Sequence, residues 1–276
     1  MQKETIVSII AAVQMCSTDD VHHNLNVVSE CIARAALKGA SMIVLPEMFA
    51  MMGKTPNYSV NIKETYGDGI IQNTLSMLAM KHKIWIVGGT IPIKDDKTNK
   101  IRAACIVYNE KGQAVARYDK IHLFDATLSQ QESYRESDTV SPGDQAVVVE
   151  TPFGRLGLAV CYDIRFPKLF IALRERGADI IALPAAFTAK TGEAHWHVLM
   201  RARAIENFCY MVGATQGGTH VSGRKTYGHA MIIEPWGGVL AETQTDNADS
   251  ICAEVELEKL IQLRESIPVQ LHQREM

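Results

Sequence analysis

The chain repeats itself at long range, and this repeat limits the possible folds more than any other feature. Gly39-Ala40-Ser41-Met42-Ile43-Val44-Leu45-Pro46 parallels Gly177-Ala178-Asp179-Ile180-Ile181-Ala182-Leu183-Pro184. Val87-Gly88-Gly89-Thr90 parallels Val212-Gly213-Ala214-Thr215, and the turn glycines Gly112 and Gly237 keep the same offset of 125 residues. A period this long is not a solenoid; it describes two copies of one α/β unit. In the first copy, apolar runs predict strands at 6–13, 42–46 and 84–90, with helices at 22–38 and 70–82 between them. A hairpin at 103–118 turns through Asn109-Glu110-Lys111-Gly112. The second copy predicts strands at 156–160, 179–183 and 210–215, helices at 166–176 and 194–207, and a hairpin at 231–242. A sheet with both helices on one face leaves its other apolar face to be buried. Two such units meet face to face, which predicts an α/β four-layer αββα sandwich with two pseudo-symmetric halves. No Pro/Gly/Ser-rich linker divides residues 1–276, so the reading is a single domain with halves 1–150 and 151–266 and a tail at 267–276.

Composition removes several function classes. Of the 276 residues, 47% are hydrophobic and 21% charged, as in a soluble globular protein. The net charge is −3 with no basic tract, which argues against nucleic acid as a partner. No apolar segment approaches the length of a membrane span, and the N-terminus carries no signal-like segment, so a cytoplasmic location is expected. The six cysteines, at 16, 31, 105, 161, 209 and 252, form no CxxC pair and no zinc-like His/Cys spacing. They read as reduced thiols, with no metal and no organic cofactor expected.

Three ionisable residues stand where the halves stop matching. Glu47 follows a buried strand where the second half has Ala185, Lys120 follows the first hairpin where the second half has Thr245, and Cys161 ends a strand. An acid, a cation and a soft nucleophile at strand ends are the groups that thiol acyl transfer needs. A thiol attacks only as thiolate, so a carboxylate must take its proton. The oxyanion then formed needs an ammonium and a backbone N–H in a dry pocket. Taken singly, each has a plainer reading: an inert buried thiol, a helix-capping carboxylate and a solvated lysine. Sequence spacing does not show that they converge.

The segments Leu45-Pro46-Glu47, Asp119-Lys120-Ile121-His122-Leu123 and Val160-Cys161-Tyr162-Asp163-Ile164-Arg165-Phe166-Pro167, in this order, resemble the nitrilase superfamily of carbon–nitrogen hydrolases over almost the whole chain. The resemblance implies the αββα sandwich reached above and a cofactor-independent amidase working through a cysteine thioester. It assigns Glu47 as general base and acid, Lys120 and the backbone N–H of Tyr162 to the oxyanion, and Cys161 as nucleophile. A supporting carboxylate maps to Glu136, with Glu132 as the competing position. Thr191-Gly192-Glu193-Ala194-His195-Trp196, Arg201-Ala202-Arg203-Ala204-Ile205-Glu206-Asn207 and Tyr227-Gly228-His229 look most like the branch of deaminated glutathione amidases and, next, ω-amidases. The stretch Thr219-His220-Val221-Ser222-Gly223 departs from the basic, histidine-rich loop of that branch. The implied substrate is a small anionic amide, 2-oxo-glutathione split to 2-oxoglutarate and cysteinylglycine. The alternative is ω-amidase release of ammonia from 2-oxoglutaramate or 2-oxosuccinamate. An anionic substrate calls for cations at the pocket rim, for which Arg165, Arg224 and Lys225 are candidates. Family membership also implies a homodimer or higher assembly. A non-catalytic scaffold of the same fold is the remote alternative, opposed by the intact Glu47, Lys120 and Cys161.

Overall fold

The computed structural model describes residues 7–55, 57–130, 132–244 and 248–274. Ile6, Thr245 and the last two residues of the tail lie outside the described residues. The strands in chain order are β1 (Val7–Met15), β2 (Met42–Val44), β3 (Trp85–Val87), β4 (Ile91–Lys94), β5 (Ile101–Tyr108), β6 (Ala114–Asp119), β7 (Asp125–Thr127) and β8 (Ser133–Arg135). They continue with β9 (Val147–Thr151), β10 (Gly154–Leu158), β11 (Ile180–Ala185), β12 (Tyr210–Thr219), β13 (Lys225–Tyr227), β14 (Met231–Ile233), β15 (Val239–Glu242) and β16 (Asp249–Glu256). The helices are α1 (Val21–Leu37), α2 (Tyr58–Asn61), α3 (Ile70–His82), α4 (Pro167–Glu175), α5 (Ala189–Asn207), α6 (Leu257–Ser266) and α7 (Val269–His272).

Strand pairing carries the pseudo-symmetry. The first sheet runs β16-β1-β2-β3-β5-β6 and the second β9-β10-β11-β12-β14-β15, the same order of parallel and antiparallel neighbours in each. The ends of β1 and β12 meet in a short parallel register, Gln14↔Thr215 and Met15↔Gln216, which joins the sheets at the edge of the site. Alternation along each strand separates the layers. Ile10, Ala12, Met42 and Val44 join the core shared with the second half, while Ala11, Val13, Ile43 and Leu45 pack with Leu25, Val28, Ile71 and Leu75 of α1 and α3.

Two strands cross the expected division into halves. β9 spans the expected boundary at 150, and β16, from the second half of the sequence, crosses to pair with β1 over Val7–Gln14. The halves therefore exchange strands rather than dividing at one point. Helix α5 begins at Ala189, not 194, because the Thr188 side chain accepts the Thr191 N–H and caps it. Gly192, which weakens that helical pattern in sequence, lies where a β-carbon would run into the Tyr227 ring.

Candidate active site

Each central side chain stands just past a strand end. Glu47 follows β2 in a turn whose next residue, Met48, takes a left-handed backbone at φ 56°. That turn is held from two sides. The Met48 N–H donates to Thr90 Oγ1 at 2.9 Å, and Gln216 Nε2 donates to the Glu47 carbonyl at 3.0 Å. Lys120 follows β6; its N–H donates to the Ala103 carbonyl, and its own carbonyl accepts the Gly143 N–H. Cys161 opens a single tight helical turn over Cys161–Arg165, with its own φ at 48°. A left-handed non-glycine residue costs on the order of 1–3 kcal/mol and persists only where its surroundings fix it.

Those surroundings centre on Asp163, which is fully buried. Its carboxylate accepts the Val160 N–H at 2.8 Å, the Tyr118 hydroxyl at 2.6 Å and the His122 N–H at 3.1 Å. It also lies 2.7 Å from His122 Nδ1, and that ring stacks on Phe166. One carboxylate thus ties the segment carrying Cys161 to the segment carrying Lys120. Sequence reasoning missed both Asp163 and Gln216. Asp163 carries a signal in hindsight: an acid two residues past the thiol, inside an otherwise apolar stretch.

The three expected residues do converge. Lys120 Nζ donates to Glu47 Oε1 at 2.7 Å and to Glu136 Oε1 and Oε2 at 2.9 and 2.8 Å, and both Lys120 and Glu47 are almost fully buried. The Phe124 N–H also donates to Glu136 Oε2, at 2.6 Å. Burial works against the Lys120 cation, but Glu136, Glu47 and Cys161 outweigh it and hold the ammonium well above its ordinary range. Burial raises the Glu136 carboxyl, with Lys120 opposing. Burial raises the Cys161 thiol well above its usual value and the Glu47 charge adds to this; Lys120 and the Ala186 N–H pull the other way. At neutral pH the sulfur therefore rests as a thiol beside a carboxylate. Glu132 lies apart from this cluster and accepts the Tyr134 hydroxyl at 2.9 Å.

A cavity of about 310 Å³ opens onto Glu47, Lys120, Glu136 and Cys161. Met51, Tyr58, Tyr134 and Phe187 are among its apolar and aromatic walls. Burial raises the Tyr58 phenol to about 12, and its hydroxyl rests against Met48 Sδ. Arg165 and Arg224 both line the cavity. Arg165 lies over the Phe187 and Tyr162 rings and 3.2 Å from His195 Nδ1; Arg224 lies over Tyr134 and donates to the Ala186 carbonyl. Among the described residues neither makes an ion pair, and Arg165 instead meets an imidazole and two rings. Lys225 is exposed on β13 and does not line the cavity. The Tyr162 N–H stands at the start of the tight turn, where amides have no partner within the turn.

The carbon–nitrogen hydrolase family model matches residues 9–265. A deaminated glutathione amidase of Yersinia enterocolitica is 38% identical over 267 residues, covering 96% of this chain and 92% of its own length. The crystal structure of the NitFhit protein of C. elegans superposes with a TM-score of 0.91 at 38% identity; the match covers 99% of this chain but 66% of that longer protein. Saccharomyces cerevisiae Nit3, described as a member of branch 10 of the nitrilase superfamily, superposes with a TM-score of 0.85 at 32% identity, covering 95% of this chain and 94% of its own.

Proposed function

The chain belongs to the carbon–nitrogen hydrolase family and is an amidase, and from that premise we propose that Cys161 is the acyl-forming nucleophile of a Glu47–Lys120–Cys161 triad. The observation that carries this is the buried contact of the Lys120 ammonium with Glu47 and Glu136 in the cavity that Cys161 also lines. Glu47 takes the thiol proton as the sulfur attacks the amide carbonyl. The oxyanion is held by the Lys120 ammonium and the Tyr162 N–H. Glu47 returns the proton to the leaving nitrogen, the C–N bond breaks, and a thioester remains on Cys161. Water enters, Glu47 takes its proton, the C–S bond breaks, and the acid departs as the thiol is restored. Glu136 keeps Lys120 charged and in place. Because the thiol is not a preformed thiolate, proton transfer and attack are coupled.

The substrate reading is deaminated glutathione, released as 2-oxoglutarate and cysteinylglycine. It draws on the relative named for that activity and on the cavity, whose volume falls within the ~300–1,000 Å³ of ligand pockets and whose rim carries Arg165 and Arg224 for carboxylates. The ω-amidase substrate 2-oxoglutaramate has about half as many non-hydrogen atoms and would leave much of that space unfilled. Side-by-side kcat/KM values on the two oxo-amides separate the readings; a preference for oxoglutaramate overturns the first. For the chemistry, rapid quench and mass spectrometry should find an acyl adduct on Cys161 with a slow substrate, and Cys161→Ala should abolish turnover. Turnover retained by that variant would sink the scheme. A cytoplasmic homodimer completes the proposal, supported by six cysteines in the reduced form and by apolar side chains left exposed on the tail.

A further inference from the structure

Away from the cavity, three side chains from three parts of the fold converge on one point. His197 projects from the middle of α5, His229 from the loop entering β14, and Glu242 from the end of β15. His197 Nε2 lies 2.8 Å and His229 Nδ1 2.6 Å from the same oxygen, Glu242 Oε1, and all three donor atoms lie within 4.8 Å of one another. The catalytic scheme uses none of them. The backbone invests in this arrangement. His229 itself has a left-handed backbone at φ 59°, its carbonyl accepts Trp196 Nε1–H at 2.8 Å, and Tyr227 stacks on its ring.

We propose that His197, His229 and Glu242 form a site for a divalent transition-metal ion of zinc type. Two imidazoles and one carboxylate are a set that zinc and cobalt accept, with water completing a tetrahedron. Each ring is about one third exposed, so water can reach the ion. Ligand atoms around a tetrahedral zinc stand roughly 3.3 Å apart. From 2.8 and 2.6 Å, His197 Nε2 must therefore draw back from Glu242 Oε1 by about 0.5 Å and His229 Nδ1 by about 0.7 Å, a movement open to partly exposed rings on a helix and a loop. In the metal-free arrangement each ring nitrogen facing Glu242 donates a proton. On binding, each ring changes tautomer through solvent: the proton leaves the nitrogen facing Glu242 and is carried on the far nitrogen, and the lone pair so freed goes to the metal. The ion would clamp α5 to the β14–β15 hairpin, and the first turn of α5, with Thr188 and Thr191, lines the cavity.

Cobalt(II) titration of the full chain tests the assignment, because its visible spectrum separates nitrogen and oxygen ligands from the thiolates at Cys161 and elsewhere. The expected result is one Co(II) per chain with no sulfur-to-cobalt charge-transfer band, and a melting temperature raised by Zn(II) and lowered again by a chelator. His197→Ala should weaken binding by on the order of 100-fold or more, with unchanged far-ultraviolet circular dichroism. His197→Cys should restore binding and introduce the charge-transfer band. That second variant decides the matter even if the alanine variant folds poorly. No binding, a thiolate spectrum in the unaltered protein, or a His197→Cys variant without the new band overturns the proposal.

Discussion

Lys120 sits between two carboxylates, and the site works only if that count is right. Lys120 lies between Glu47 and Glu136, so when Glu47 accepts a proton the ammonium still has a second carboxyl partner. Replacing Glu136 by Gln removes the largest influence keeping the ammonium charged, so the Lys120 pKa should fall. The expected outcome is a loss of about 10²-fold in kcat with a smaller change in KM, read from steady-state kinetics. A second variant separates thiolate population from catalysis. The Glu47 charge helps hold the Cys161 thiol above its usual range while Lys120 lowers it. In Glu47→Gln only the lowering charge remains beside the sulfur, so alkylation by iodoacetamide at neutral pH should speed up. Amide turnover should fall by about 10²–10⁴-fold because the general base is gone. Both rates falling together would show that Glu47 activates the sulfur in the resting enzyme. Asp163 belongs to the same scale. Asp163→Asn leaves the Tyr118, Val160 and His122 donors sharing fewer lone pairs, which should cost about 1–3 kcal/mol by urea unfolding and also lower kcat, since the left-handed turn at Cys161 loses its anchor.

At the scale of elements, the strands and helices with strong apolar periodicity were legible, and those with mixed faces were not. The patterns at 70–82, 103–118 and 231–242 announce α3 and the two hairpins because α3 buries one apolar stripe and the leading strand of each hairpin, β5 and β14, is buried along nearly its whole length. β9 and β16 lie at sheet edges with half-buried, partly charged faces, so neither period stands out, and the partner of β16 is chosen by a crossing from the far end of the sequence. The same reasoning explains the site. Glu47, Lys120 and Cys161 were visible as departures from the internal repeat, whereas Asp163 and Gln216 acquire their roles only once Tyr118, His122 and Ser17 arrive from distant segments. The segment Ser141-Pro142-Gly143 packs against the backbone at Asp119 and Lys120. A β-carbon at Gly143 would run into the Asp119 carbonyl oxygen, and the Gly143 N–H holds the Lys120 carbonyl at 2.9 Å. Gly143→Ala should therefore displace the Lys120 backbone. Differential scanning fluorimetry should show destabilisation by about 1–3 kcal/mol, and kcat should fall even at temperatures where the variant stays folded.

For the whole molecule, the exchange of strands between halves makes the C-terminal region two things in series. β16 lies along β1 from Val7 to Gln14, and α6 follows it with Leu260 buried and Arg264 bonded to Asp179 and to the Phe208 and Ala178 carbonyls. Beyond α6, α7 buries no residue, and Ile267, Val269 and Leu271 are exposed on the protomer. Buried thiols add a pH dependence to the same core. Burial raises Cys31 and Cys209 to about 11 from 9.0. A thiol whose pKa is raised on folding stabilises fully below its unfolded value and loses that contribution as pH climbs through the folded one. Urea midpoints should hold near pH 8 and decline between about pH 9 and about pH 11, by on the order of 2 kcal/mol per thiol, and Cys209→Ala should flatten part of that decline. The two C-terminal segments are told apart by truncation. Removing 249–276 strips a full edge strand from the first sheet, leaves β1 with an unpaired row of amides and carbonyls, and uncovers apolar side chains beneath α6. That chain should be insoluble or unfolded by circular dichroism. Removing only 267–276 takes no buried residue among the described ones, so the protomer should keep its melting temperature at low concentration. If the exposed apolar residues of α7 pack across a subunit boundary, sedimentation velocity should show the shortened protein shifting from dimer toward monomer. A dimer of unchanged strength would place the subunit contact elsewhere on the surface.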